Sequence, residues 1–148
     1  MVGNARVVGR GEAGFTLIEV VVVIIILGLL ASIVVPRIVG RTDTAKRTAA
    51  AVTIKQLESA LKLYRADNGF YPTTDQGLEA LVSPPTTAPV PLRYNPDGYL
   101  DKVPLDPWGN RYIYLQPGIH AEYDIESYGA DGEDGGEGTF ADIESWNL

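Results

Sequence analysis

Residues 14–35 read GFTLIEVVVVIIILGLLASIVV, and the organisation of the whole chain follows from them. From Leu17 to Val35 run nineteen residues whose only charge is Glu19. As a helix they would rise about 28 Å, close to the ~30 Å hydrocarbon core of a bilayer. A core helix in a soluble domain cut from 148 residues has no use for such a run. It predicts a membrane-length helix. Glu19 sits two residues inside it, where an ionisable group costs on the order of 2.5–3.5 kcal/mol at the helix centre and less near an end. A carboxylate kept there points to a partner that neutralises it.

Three readings of the run can be compared. A cleavable secretory signal has a shorter apolar core, about 7–15 residues, and Leu29-Leu30-Ala31 makes a poor cleavage site. A plain single-pass anchor fits the length but leaves Glu19 unexplained. Gly14-Phe15-Thr16-Leu17-Ile18-Glu19 resembles the processing site of type IV prepilins and their relatives, and this third reading accounts for both. The resemblance implies that a prepilin peptidase cuts between Gly14 and Phe15 and methylates the new amino-terminal Phe15. Glu19 becomes the fifth mature residue. The ammonium freed at Phe15 would be stranded in an apolar setting, and Glu19 of a neighbouring subunit can lower that desolvation cost. The resemblance also places the leader in the cytoplasm. Charge counting favours the reverse, with Arg37, Arg41, Lys46 and Arg47 beyond the run against Arg6 and Arg10 before it. The assigned topology therefore rests on the motif.

Past Pro36 the pattern changes from apolar all round to apolar on one face. Ala50, Ile54, Leu57, Leu61 and Tyr64 step by four, three, four and three, a helical stripe facing a core. Asn68-Gly69 supplies a left-handed stop. The expectation is one helix from Phe15 to about Asp67, near 80 Å long.

The remainder reads as small pieces. Thr74 is placed to cap a short helix over 75–82. Residues 83–98, SPPTTAPVPLRYNPDG, are too rich in proline for regular structure. Asp106-Pro107-Trp108-Gly109 has the signature of a type I turn. Residues 111–115 and 121–127 are β-rich and flank 116–120, which predicts a hairpin. About eighty residues bury little core alone, so the helix must supply an apolar face. The expected class is α+β.

Charge is unevenly spread. Residues 1–96 hold ten basic and seven acidic side chains, whereas 97–148 hold two and twelve. With net charge −7 and pI near 4.6, a nucleic-acid partner is not expected. The absence of cysteine removes disulfides and thiolate sites, and a lone His120 removes a polyhistidine metal site. Neither a nucleophile–base pair nor a converging acid–base set is recognisable, so no enzyme is expected. The acids of 128–138 alternate with glycines and then give way to Ile143 and Trp146. A charge run is commonly just a solvated face. A glycine-rich acidic loop can also wrap a hard cation with carboxylate and carbonyl oxygens, and Ca2+ takes six to eight of them. The EF-hand pattern is excluded by Gly135 at the fifth position counted from Asp131.

YPTTDQGLEALV (71–82), DPWGNRY (106–112) and SYGADGEDGGEG with ADIESW (127–146) together resemble the major pseudopilins of type II secretion systems, the G-type core proteins. The missing cysteines separate the chain from ordinary type IV pilins, which usually carry a C-terminal disulfide. The resemblance implies a type IV pilin-like fold around one structural calcium. It implies Asp131 and Asp142 as side-chain ligands, Tyr128 through its carbonyl, and Thr139. The implied organisation is a cleaved leader (1–14), a transmembrane and assembly helix (15–35), its amphipathic continuation (36–68), and a periplasmic α+β domain (69–148) with a calcium loop at about 128–142. The implied role is a structural subunit, anchored in a bacterial inner membrane by a single pass and polymerised into a periplasmic filament that drives export of folded proteins. Its expected partners are further copies, minor pseudopilins, the prepilin peptidase and the inner-membrane secretion platform. A type IV pilus subunit and a secreted calcium-binding module are the alternatives.

Overall fold

Helix α1 (Leu17–Asn68) runs for 52 residues in a computed structural model that describes residues 14–148, with the backbone alone over 32–41. The expected leader up to Ala13, and the side chains of 32–35 in the apolar run, lie outside the described residues. Thr16 starts the helix, since the Glu19 N–H donates to the Thr16 carbonyl at 3.1 Å and to its Oγ1 at 3.3 Å. Gly69 ends it at φ +86°, its N–H donating to the Arg65 carbonyl at 2.7 Å. Both ends fall within two residues of the expected ones. The chain divides into two compact units between Val39 and Gly40.

Within the unit that begins at Gly40, the predicted stripe is the core. Ala50, Ile54, Leu57, Leu61 and Tyr64 are all fully buried. Tyr64 gathers the rings of Tyr99, Phe70 and Tyr94 at centroid distances of 5.2, 6.0 and 6.2 Å. Opposite them lies an antiparallel three-stranded sheet in the order β1 (Ile113–Leu115), β2 (Asp124–Ser127), β3 (Ile143–Glu144). Tyr114 pairs with Ile125 across β1 and β2, and Ser127 with Ile143 across β2 and β3. Ile125 and Ile143 are buried against the helix stripe and Tyr114 closes one side, its hydroxyl donating to the Pro72 carbonyl at 2.8 Å. The α+β class and the hairpin are as expected; β3 is a strand that the sequence did not announce.

The helix expected over 75–82 is shorter and tighter. A 3-10 turn, Leu78–Leu81, follows Gly77, whose φ of +64° lies in the left-handed region and breaks any continuous helix from Asp75. Thr74 does not cap it. Its hydroxyl instead accepts the Gln116 N–H at 2.8 Å and donates to the Gln116 carbonyl at 3.1 Å, tying this segment to the end of β1. Buried Gln76 orders the irregular stretch that follows. Its amide nitrogen donates to the carbonyls of Thr87 and Pro89 at 2.7 and 3.0 Å.

Two buried aspartates fix the turns that carry the sheet. The Gly109 N–H closes the predicted turn on the Asp106 carbonyl at 3.0 Å. Asp106 Oδ1 accepts the N–H of Trp108 and of Asn110, and Oδ2 accepts the Ser127 hydroxyl at 2.7 Å. Asp124 plays the same part in the hairpin loop, taking the backbone N–H of Ile119, His120 and Ala121. Burial pushes the Asp124 carboxyl up, but the N–H groups of His120 and Ile119 and the His120 ring outweigh it and hold it below the usual range. Replacing Asp124 by alanine leaves three loop donors without an acceptor. The expected cost is about 3 kcal/mol in urea denaturation; a change under about 1 kcal/mol would show that the loop holds itself.

Candidate functional site

At the amino end, every side chain from Phe15 to Ala31 is exposed, a largely apolar surface that carries the one carboxylate of Glu19. Phe15 is 82% exposed and Ile18 72%. Glu19 lines a shallow groove together with Phe15, the residue that follows the expected cut, and with Val20, Val23 and Ile24. Among the described residues no helix is long and apolar enough to cross a membrane. The described part of the apolar run, Leu17–Ala31, has fifteen residues against the ~20 that a span takes.

The second site lies where β2 meets the acidic loop. Strand β2 brings Glu126 to it, the loop brings Asp134, and the residue before β3 brings Asp142. Oxygens of these three carboxylates lie within 4.8 Å of one another. The loop closes tightly enough for this because of its glycines. Gly136 has φ +94°, and a Cβ there would collide with the Phe140 carbonyl oxygen. The Gly135 N–H donates to Asp142 Oδ2 at 2.7 Å. Among the described residues no N–H or hydroxyl donor reaches the buried Asp142 Oδ1, and its carboxyl instead shares a hydrogen bond with Glu126 when Glu126 is protonated. Burial, and then the charge of Asp142 with Asp134 and Glu144 behind it, pushes the Glu126 carboxyl up to about 7. An arrangement of facing carboxylates with a buried oxygen that no backbone or hydroxyl donor reaches suits a hard divalent cation, which would offset the repulsion.

The sequence-derived ligand set overlaps this cluster at Asp142 alone. Asp131 is exposed, and its Oδ1 accepts the Glu133 N–H at 3.3 Å within its own turn. Thr139 is exposed in a 3-10 turn, Gly138–Phe140, and Tyr128 is half-buried just after β2. Glu126 and Asp134 escaped the sequence reading. Glu126 lies in a strand whose pairing was needed to place it. Asp134 is one of four acids between 131 and 137, and nothing local sets it apart.

A family model for protein G of the type II secretion system matches residues 37–146, and one for the prokaryotic N-terminal methylation motif matches residues 9–35. The chain belongs to the type II secretion system protein G family. As a member of that family it is a structural subunit, a pseudopilin. It is 53% identical over 138 residues to the type II secretion system core protein G of Pseudomonas aeruginosa, covering 93% of this chain and 97% of that one. The Vibrio cholerae core protein G is also 53% identical, over 94% of each chain. The crystal structure of the major pseudopilin from the type 2 secretion system of enterohaemorrhagic Escherichia coli superposes with a TM-score of 0.68 at 47% identity. That match covers 78% of this chain and 98% of the other. The fold described above is therefore the pseudopilin fold.

Proposed function

We propose that this protein G family member is made with a leader ending at Gly14, cut there by a prepilin peptidase and methylated on Phe15. Before assembly the 15–35 helix spans the bacterial inner membrane and the remainder lies in the periplasm. Copies then stack through these helices into a helical pseudopilus, docking with minor pseudopilins and the inner-membrane secretion platform. Growth of the filament drives folded cargo through the outer membrane. The subunit itself catalyses nothing. Head-to-tail contacts that do not close generate such a filament.

The observation that carries this reading is a methylation motif over residues 9–35 joined to a helix whose side chains are exposed on every side from Phe15 to Ala31. A surface of that kind is stable only in lipid or against other helices. Sequencing the mature amino terminus tests it. Methylated phenylalanine from position 15 is the expected result, and Ser32 at the amino terminus would make the chain a secreted module instead. Gly14→Leu is expected to abolish cleavage and trap the full-length form in the membrane fraction.

Ca2+ is the cation proposed for the acidic loop. Glu126, Asp134 and Asp142 supply charged oxygens there, and Asp131, Thr139 and the Tyr128 carbonyl remain the donors that the family resemblance suggests. Bound calcium would supply no chemistry of reaction. It would hold the loop against β2 and so give the periplasmic domain a fixed surface.

A further inference from the structure

We propose that Arg47 is a positioning residue for the cation loop: from α1 its guanidinium holds the backbone of Ala141 and Asp142 so that the Asp142 carboxylate faces Glu126 and Asp134. The inference rests on the calcium reading for its consequence, though not for its geometry. One guanidinium nitrogen donates to the Ala141 carbonyl, and the other to the Asp142 carbonyl at 3.3 Å. These contacts join residues 94 and 95 positions apart. The side chain is half-buried, so its rotamer freedom is already restricted.

The position of this clamp in the loop gives it its leverage. Upstream, the 3-10 turn ends with the Ala141 N–H on the Gly138 carbonyl. Downstream, Ile143 is paired with Ser127 and buried. Asp142 sits between these anchors, and Arg47 fixes the two carbonyls on either side of its Cα. With the backbone set, the carboxylate has a defined direction. Oδ2 takes the Gly135 N–H, and Oδ1 is left buried for the cation. A planar guanidinium reaches two successive carbonyls at once; an ammonium is a point donor and does not fix both.

Charge and position predict opposite outcomes, which makes the idea decidable. As a fixed positive charge, Arg47 repels a second cation, so its removal would tighten calcium binding. As a clamp, it pre-arranges a ligand, so its removal would weaken binding. Residues that orient metal ligands typically contribute 10–100-fold in affinity.

The test uses the full processed chain in detergent, unsubstituted and as Arg47→Ala and Arg47→Lys. Calcium chloride is titrated calorimetrically, and amide exchange at Gly135 is followed in chelator. The expected results are a 10–100-fold weaker Kd for Arg47→Ala, a smaller loss for Arg47→Lys, and faster exchange at Gly135 in both. Unchanged or tighter calcium binding by Arg47→Ala would overturn the proposal. If the unsubstituted chain takes up no calcium, the calcium reading fails by itself. Gly135 exchange then judges the clamp: acceleration in Arg47→Ala upholds it and no change overturns it.

Discussion

Chelating calcium from the processed chain is expected to lower its melting temperature by on the order of 15 °C. An ion that binds only the folded loop adds RT ln(1 + [L]/Kd), about 4 kcal/mol at a thousand-fold excess over Kd. In a folded unit of roughly a hundred residues each kcal/mol moves the midpoint by about 4 °C or more. The repulsion that the ion offsets is visible in the protein itself. Glu126 is held up to about 7 by burial and by the charge of Asp142, and among the described residues no N–H or hydroxyl donor reaches the buried Asp142 Oδ1. Asp142→Ala is expected to abolish the difference between calcium and chelator, because Asp142 belongs both to the observed cluster and to the set suggested by resemblance. Differential scanning calorimetry of both proteins, with and without calcium, is the measurement. Equal midpoints for the unsubstituted chain in the two conditions would remove calcium from the account.

The helix could be read almost completely from the residues, and the reason is periodicity. Ala50, Ile54, Leu57, Leu61 and Tyr64 occupy one face at helical spacing, and each is fully buried. Asn68-Gly69 marked the stop because only a residue tolerant of positive φ sits there comfortably, and Gly69 does so at +86°. Such signals are local. The pieces that were misread depend on distant partners. Thr74 has the right chemistry for a cap, but its hydroxyl found Gln116, 42 residues away, and Gly77 left the helix no room to start earlier. β3 has only two residues, and it exists because β2 lies beside it.

The acidic loop shows the same division more sharply. Its composition pointed to the region, because a glycine-rich acidic loop can wrap a hard cation. Its membership could not be read from composition. Of the acids between 122 and 144, three converge, and one of these belongs to a strand instead of the loop. Convergence is a property of the β2–β3 register and of the turn at Gly136, and neither is encoded within a short window. Arg47 is further still from view. In the sequence it is one more basic residue after the apolar run, and only the folded chain brings it to Ala141 and Asp142.

Glu19→Ala is expected to give a subunit that is cleaved, methylated and folded but assembles roughly a hundred- to a thousand-fold less well. Glu19 is exposed and belongs to the unit that ends at Val39, outside the buried core cluster of the unit beginning at Gly40, so the melting temperature in detergent should be unaltered. Its consequence falls on association. A filament built from helices that are apolar on every exposed side excludes water around the Phe15 ammonium. Truncating one partner of a buried ion pair strands the other charge, at about 3–5 kcal/mol. Every 1.4 kcal/mol is about a factor of ten in the association constant. Glu19→Gln discriminates charge from hydrogen bonding, because it keeps an acceptor oxygen and removes the charge; it should fail nearly as badly as alanine. Filament yield from cells carrying each variant, set against the amount of processed subunit in the membrane, is the quantity to measure. Normal filaments from Glu19→Ala would mean that the ammonium at Phe15 is neutralised by some other group or stays hydrated in the assembly.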